Sequence, residues 1–212
     1  MQKAKQKPIL RGWSHQAMFF ISLGACSLLI AKSANTTQYI STIIYSLGLL
    51  MMLGVSAFYH RIHWEPRARD LLGRLDHSAI YVMIAGTCTP ITLLVLNGES
   101  GSTFLISIWS VAAIGILKSI FFPNLPEKLS AVIYLIPGYM VLPYVSELIP
   151  KLGMTNISLL IAGGILYTIG AIFYGLKKPG RYAKWFGYHE LFHLFVCVAA
   201  TLHFMIIYSI VG

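Results

Sequence analysis

His189 and His193 stand four residues apart in the stretch Tyr188-His189-Glu190-Leu191-Phe192-His193. On an α-helix that spacing separates two side chains by only about 40° around the axis. Two imidazoles so placed form a bidentate clamp for a metal ion, and a third imidazole plus a water completes the tetrahedron of a catalytic zinc site. Ser56 and His60 have the same spacing, and Asp76 is followed directly by His77 and Ser78. A carboxylate near such a site can act on the water or accept the far N–H of a ligand histidine. His63 lies seven residues after Ser56, on nearly the same helical face, so spacing leaves His60 and His63 both open as the third imidazole. A lone intramembrane histidine is most simply an interhelical hydrogen-bonding residue; the set taken together favours a metal.

The seventh-helix stretch also reads as H-E-x-x-H, the zinc-protease motif in which the glutamate is the general base. An intramembrane metalloprotease would draw a third, carboxylate ligand from a later helix, and no helix is expected after this one. Glu190 is about 100° from His189 around the helix, which points it toward the basic rim.

Elements that could position these residues must cross lipid. Hydrophobic residues make up 57% of the 212 and charged ones 11%, with mean hydropathy +0.71. A soluble domain carries roughly 25% charged residues, so too few remain here to cover a water-facing surface. Apolar runs cover 17–33, 39–60, 75–96, 103–122, 129–149, 157–176 and 186–211. Each suits one crossing by a helix of about 20 residues. The expected fold is all-α, a single seven-transmembrane-helix bundle over 1–212 with no room for a soluble domain. Asn35, Asn97-Gly98, Pro123-Asn124, Pro150 and Pro179-Gly180 are the expected breaks between spans. Pro90, Pro137 and Pro143 fall inside spans, where neighbouring groups can satisfy the freed carbonyls.

Loop charge orients the bundle. Lys3, Lys5, Lys7 and Arg11 precede the first span; Arg61, Arg67, Arg69 and Arg74 join the second to the third. Lys118 and Lys128 flank the fourth-to-fifth connection, and Lys177, Lys178, Arg181 and Lys184 the sixth-to-seventh. These are 14 of the 16 basic residues, leaving Lys32 and Lys151 for the other side. The expected topology is N-terminus cytoplasmic, C-terminus outside. It puts Ser56, His60, Asp76, His77, His189 and His193 in the cytoplasmic third of the membrane, although they come from three distant segments. Ionisable groups at that depth are costly enough to count as functional.

The net charge of +9 does not indicate nucleic acid. The basic residues lie in short patches between apolar runs, where they meet anionic lipid headgroups. Cys26, Cys88 and Cys197 fall inside apolar runs without metal-type spacing, and their odd number provides no disulfide framework. The basic N-terminal arm resembles a signal n-region, but no convincing cleavage site follows and an uncleaved first helix is expected. His15 is expected at the interface before the first span, and His203 deeper than His193 and pointing elsewhere. Trp13, Trp64 and Trp185 suit an interfacial aromatic belt.

Three motifs together resemble the hemolysin III family: Ser56-x-x-x-His60; Asp76-His77-Ser78-Ala79-Ile80 running to Ile84-Ala85-Gly86-Thr87-Cys88-Thr89-Pro90; and His189-Glu190-Leu191-Phe192-His193. That family is grouped with the adiponectin and progestin receptors and, more distantly, the alkaline ceramidases. The likeness runs from about Trp13 to the end of the chain. It implies a seven-helix bundle with a cytoplasmic N-terminus, and zinc (Zn2+) held by His60, His189 and His193, so that His60 rather than His63 is the ligand. It also implies that Asp76 engages the water at the metal, with Ser56 beside it. Cys88 stands where many bacterial members are expected to carry Tyr. Glu190 fits the bacterial branch, whereas receptor relatives often carry Gln, and hormone recognition is not expected.

The resulting expectation is a zinc-dependent hydrolase of a lipid amide or ester, in the plasma (bacterial inner) membrane, with membrane lipids as substrates. A second class is a membrane-homeostasis sensor with structural zinc, distinguished by a closed four-ligand shell. A third, suggested by the family's name, is a pore-forming cytolysin; the helices carry few polar stripes to line a channel.

Overall fold

The computed structural model describes residues 7–96, 98–180 and 184–212. Lys3, Lys5, Asn97 and Arg181, used in the charge and break arguments, lie outside the described residues, as does the side chain of Lys128. The described regular structure is entirely helical. It comprises α1 (Trp13–Ala31), α2 (Thr36–Arg61), α3 (Pro66–Ile91), α4 (Gly98–Phe121), α5 (Glu127–Tyr139), α6 (Val145–Leu176) and α7 (Tyr188–Ile210). A π-helical turn, Thr92–Leu96, extends α3, and a 3-10 turn, Leu142–Tyr144, joins α5 to α6.

Six helical runs among the described residues are long and apolar enough to cross a membrane. Here the structure differs from the expectation of seven separate spans. The expected spans 129–149 and 157–176 fall within one run of 48 residues, Leu129–Leu176. Pro150, expected as the break between them, lies inside α6. The helical backbone departs at Gly153 instead, with φ 75° and ψ 161°, a conformation glycine adopts without a Cβ penalty. In a straight helix Tyr139 and Thr168 would be about 44 Å apart. Their hydroxyls are hydrogen-bonded at 2.7 Å, so the chain doubles back and α5 lies against α6.

Other boundaries move for local reasons. Helix α3 starts at Pro66, nine residues before the expected 75. Proline is pre-organised for a first helical position, and the added turns carry Arg67, Arg69, Asp70 and Arg74, so hydropathy is blind to them. They lift Asp76 about 15 Å from the helix start. Pro90 removes one backbone donor near the end of α3, and the π-helical turn follows directly. Helices α2 and α3 pack closely through glycine: a Cβ at Gly48 would stand 3.2 Å from the Val82 carbonyl oxygen, and one at Gly86 3.3 Å from that of Ile44. Small residues permit such approach in lipid, where dispersion replaces the hydrophobic drive. One buried cluster joins α1, α2, α3 and α7 through Leu29, Tyr45, Leu53, Ala79 and Ala200. A second joins α3, α4, α6 and α7 through Tyr81, Phe104, Ile108, Leu160 and Ile206.

Candidate metal centre

Helix α2 ends within one residue of His60, and α7 begins one residue before His189. The helix ends thus bring polar side chains to one level. His60, His189 and His193 converge, with one ring nitrogen of each within 4.8 Å of the other two. The Nε2 atoms of His60 and His189 are 3.2 Å apart. His60 and His193 are buried and His189 is half-buried. His63, by contrast, is exposed, lies beyond the end of α2 and is outside this group of three.

Asp76 reaches the cluster from α3. Its Oδ2 lies 3.4 Å from His60 Nε2, the same nitrogen that faces His189. One imidazole nitrogen carries either a proton or a lone pair and cannot serve another imidazole and a carboxylate in full. Convergence of this kind suits a shared cation. Nitrogens bound tetrahedrally at about 2.0–2.1 Å stand roughly 3.3–3.4 Å apart; the shortest pair already meets that spacing and the others need a small side-chain shift. The donor set therefore fits zinc.

Ser56, buried one helical turn before His60, lines the same cavity as Asp76, His77, His189 and His193. The cavity is about 280 Å³ and runs from this polar end between α5 and α6. His77 faces the Tyr134 ring at 6.2 Å. His203 lies farther along α7 beside the Leu160 carbonyl oxygen at 3.3 Å; it lines the cavity but not the metal-ligating trio. The remote part of the wall is apolar. Gly138 of α5 and Gly164 of α6 have no heavy atom within 4 Å of where a Cβ would stand. Tyr139, Leu142, Ile161 and Ile165 beside them are both cavity-lining and exposed, which opens the cavity sideways.

Glu190 does not face an open rim. It is buried, its Oε1 accepts the Arg11 Nε–H, and its Oε2 accepts the Gly187 N–H at 2.8 Å. The second bond satisfies one of the orphan donors at the start of α7. Both carboxylate oxygens are thus engaged in holding the N-terminal arm and the helix start. The arm is fastened further by Ile9 N–H to Lys184 O at 3.0 Å and Leu10 N–H to Trp185 O at 3.2 Å. Gly12, at φ 80°, follows; a Cβ there would stand 2.8 Å from His60 Cβ, so only glycine lets the arm pass so close to the site. Glu190→Gln is accordingly expected to lower Tm by several degrees, because Arg11 loses its charged partner, while zinc content stays near wild type. Thermal unfolding and metal analysis of the same preparation check this; unchanged Tm with lost zinc would contradict it.

His15 corrects its expected interfacial place. Helix α1 starts at Trp13, two residues earlier, so His15 is inside the helix and 3% exposed. Its ring stacks on His193, with centroids 3.8 Å apart and planes 7° from parallel. Arg11 and His15 are the site neighbours that spacing did not reveal. The signal available was the basic, polar run just before the first apolar stretch, which reads as a solvated flank.

Partial desolvation, then Arg11, Arg69 and Arg61, lower the Lys7 ammonium below the usual lysine value. Arg61 donates from Nε to Gln16 Oε1 at 2.9 Å and covers the Trp13 ring at 4.0 Å. Cations from the arm, α2 and α3 are therefore gathered at the end of the bundle that holds the histidines.

Known proteins are similar to this chain over most of its length. The family model described as Haemolysin-III related matches residues 3–204. The chain is 34% identical over 208 residues to Hemolysin-3 of Bacillus cereus, covering 96% of this chain and 91% of that protein. It is 37% identical over 184 residues to the Hemolysin-3 homolog of Bacillus subtilis (strain 168), covering 85% and 86%. A more distant relative, the Adiponectin receptor protein of Drosophila melanogaster, is 25% identical over 219 residues, with 91% of this chain and 48% of that protein covered. With six apolar helical runs and a family match over nearly its whole length, this multi-pass membrane protein belongs to the Haemolysin-III related family.

Proposed function

We propose that this chain is a zinc-dependent membrane hydrolase of a lipid amide or ester, built as seven crossings with the N-terminus in the cytoplasm and the C-terminus outside. The observation that carries the reading is the convergence of His60, His189 and His193 beside Asp76 at the polar end of an apolar cavity. Three converging imidazoles rather than four favour catalysis over a purely structural role, because a catalytic site keeps one position open.

His60, His189 and His193 would hold the metal. Bound zinc supplies Lewis-acid polarisation of a carbonyl and brings the pKa of a water toward about 7. Asp76 takes the proton as the water oxygen bonds to the carbonyl carbon. Ser56 donates to the developing oxyanion or orients Asp76. Asp76 then returns the proton to the leaving nitrogen or oxygen as its bond to carbon breaks. The acyl chain lies along Leu135, Leu160 and Ile161 and enters between α5 and α6. The basic end, with Lys7, Arg61 and Arg69, meets anionic headgroups.

The test is metal analysis of purified protein together with its lipid products after incubation with a membrane extract. About one zinc per chain with release of a fatty acid is expected; zinc without product would leave the sensor reading. Topology has its own measurement. The bend at Gly153 and the return of α5 along α6 support two crossings within 129–176, and the basic asymmetry supports the orientation. A C-terminal reporter should be active outside the cytoplasm, and one active only inside would rule out seven spans in this orientation.

A further inference from the structure

His15, like His77, stands near the cluster without a part in holding the metal or in the chemistry above. It is buried, and neither Nδ1 nor Nε2 has a hydrogen-bond partner among the described residues. It lines the cavity together with Ser56, Asp76, His189 and His193. A neutral imidazole has one donor and one acceptor in its plane. Leaving both unpaired in a buried site is costly unless something else fills them.

The stacking geometry says what that cannot be. Imidazole nitrogens bind in the plane of their ring, and the planes of His15 and His193 are 7° from parallel at 3.8 Å centroid separation. A metal held in the plane of His193 at about 2.0–2.1 Å is therefore roughly a stacking distance from His15, beyond bonding range. His15 is also outside the group of ligand atoms that lie within 4.8 Å of one another. It lines the cavity that a bound molecule would fill.

We infer that His15 is the hydrogen-bond donor to the polar head of the cavity's occupant, a carbonyl oxygen in an acyl amide or ester and a carboxylate oxygen in the fatty-acid product. The inference rests on the reading of the cavity as an acyl-chain site. Asp76 offers only acceptors when ionised, so a carboxylate or carbonyl oxygen entering the site needs donors besides it, and where Ser56 orients Asp76 a further one is called for. His15 supplies it from α1, through a buried ring N–H for which no protein acceptor stands in good hydrogen-bonding geometry, while the apolar wall holds the chain. It contacts substrate and leaves the metal to His60, His189 and His193.

The experiment measures oleate affinity, zinc content and Tm for wild type, His15→Phe and His15→Asn in detergent micelles. Phe keeps a ring on His193 and removes both nitrogens; Asn loses the ring and keeps a donor. Expected are zinc content at the wild-type level in both, oleate affinity about tenfold or more weaker in His15→Phe, and recovery of most of that loss in His15→Asn. If His15→Phe loses zinc as His60→Ala does, His15 supports the metal and the inference is overturned. It is overturned as well if His15→Phe binds oleate like wild type, if the weakened variant is His15→Asn alone, or if wild type binds no oleate. Wild type without zinc would remove the metal reading, and the oleate comparison would still decide the role of His15.

Discussion

His60→Ala is expected to take bound zinc from about one ion per chain to a trace, and any lipid hydrolysis with it. The residue stands in the last turn of α2 with Nε2 3.2 Å from that of His189 and 3.4 Å from Asp76. Removing an outer-shell partner of a metal ligand costs roughly 10–100-fold in affinity, so removal of a direct ligand in a three-imidazole site should exceed that. His63→Ala is the matched control: it is three residues away, exposed, and off the helix, and it should retain wild-type zinc. His203→Ala should also retain zinc, since its ring is occupied beside the Leu160 carbonyl. Metal content of the three purified variants decides the matter. Zinc lost from His63→Ala and kept in His60→Ala would overturn the site assignment.

Asp76→Asn should separate chemistry from scaffolding. The carboxylate approaches His60 through Nε2, the nitrogen turned toward the other histidines, and not from the far side of the ring. A group so placed acts on what the histidines hold and is not needed to orient the His60 ring. Asn preserves size and part of the hydrogen bonding but accepts no proton. Zinc should therefore stay largely bound while lipid hydrolysis falls by roughly the 10²–10⁴-fold attributed to a positioned general base. Glu190→Gln completes the comparison. Both Glu190 oxygens are already engaged, by Arg11 and by the Gly187 N–H, so its loss should appear in Tm before it appears in turnover. Activity abolished by Glu190→Gln and intact in Asp76→Asn would replace this mechanism with the H-E-x-x-H one. Activity unchanged in both, with zinc still bound, would favour structural zinc.

What the sequence determined by itself was whatever depends on composition and on helical period. A chain so apolar must cross lipid, and helices satisfy their own backbone groups there, so the membrane class and most spans were legible. The i, i+4 spacing of His189 and His193 is a local property, so the clamp was legible too. Family likeness pointed to His60 over His63, and α2 ends at Arg61, between the two. Depth, by contrast, is a tertiary quantity. The turns of α3 before Leu75 are charged and α1 starts before its apolar run, so hydropathy misplaced both ends, and with the second went the burial of His15 on His193. The helical backbone within α6 breaks at one glycine with positive φ, Gly153, while Pro150 three residues earlier stays inside the helix; a proline can be accommodated in a membrane helix, so the breaker residue did not by itself mark the bend. The role of Glu190 was likewise set at long range. Its partner Arg11 is 179 residues away in sequence, and no periodicity within α7 carries that information.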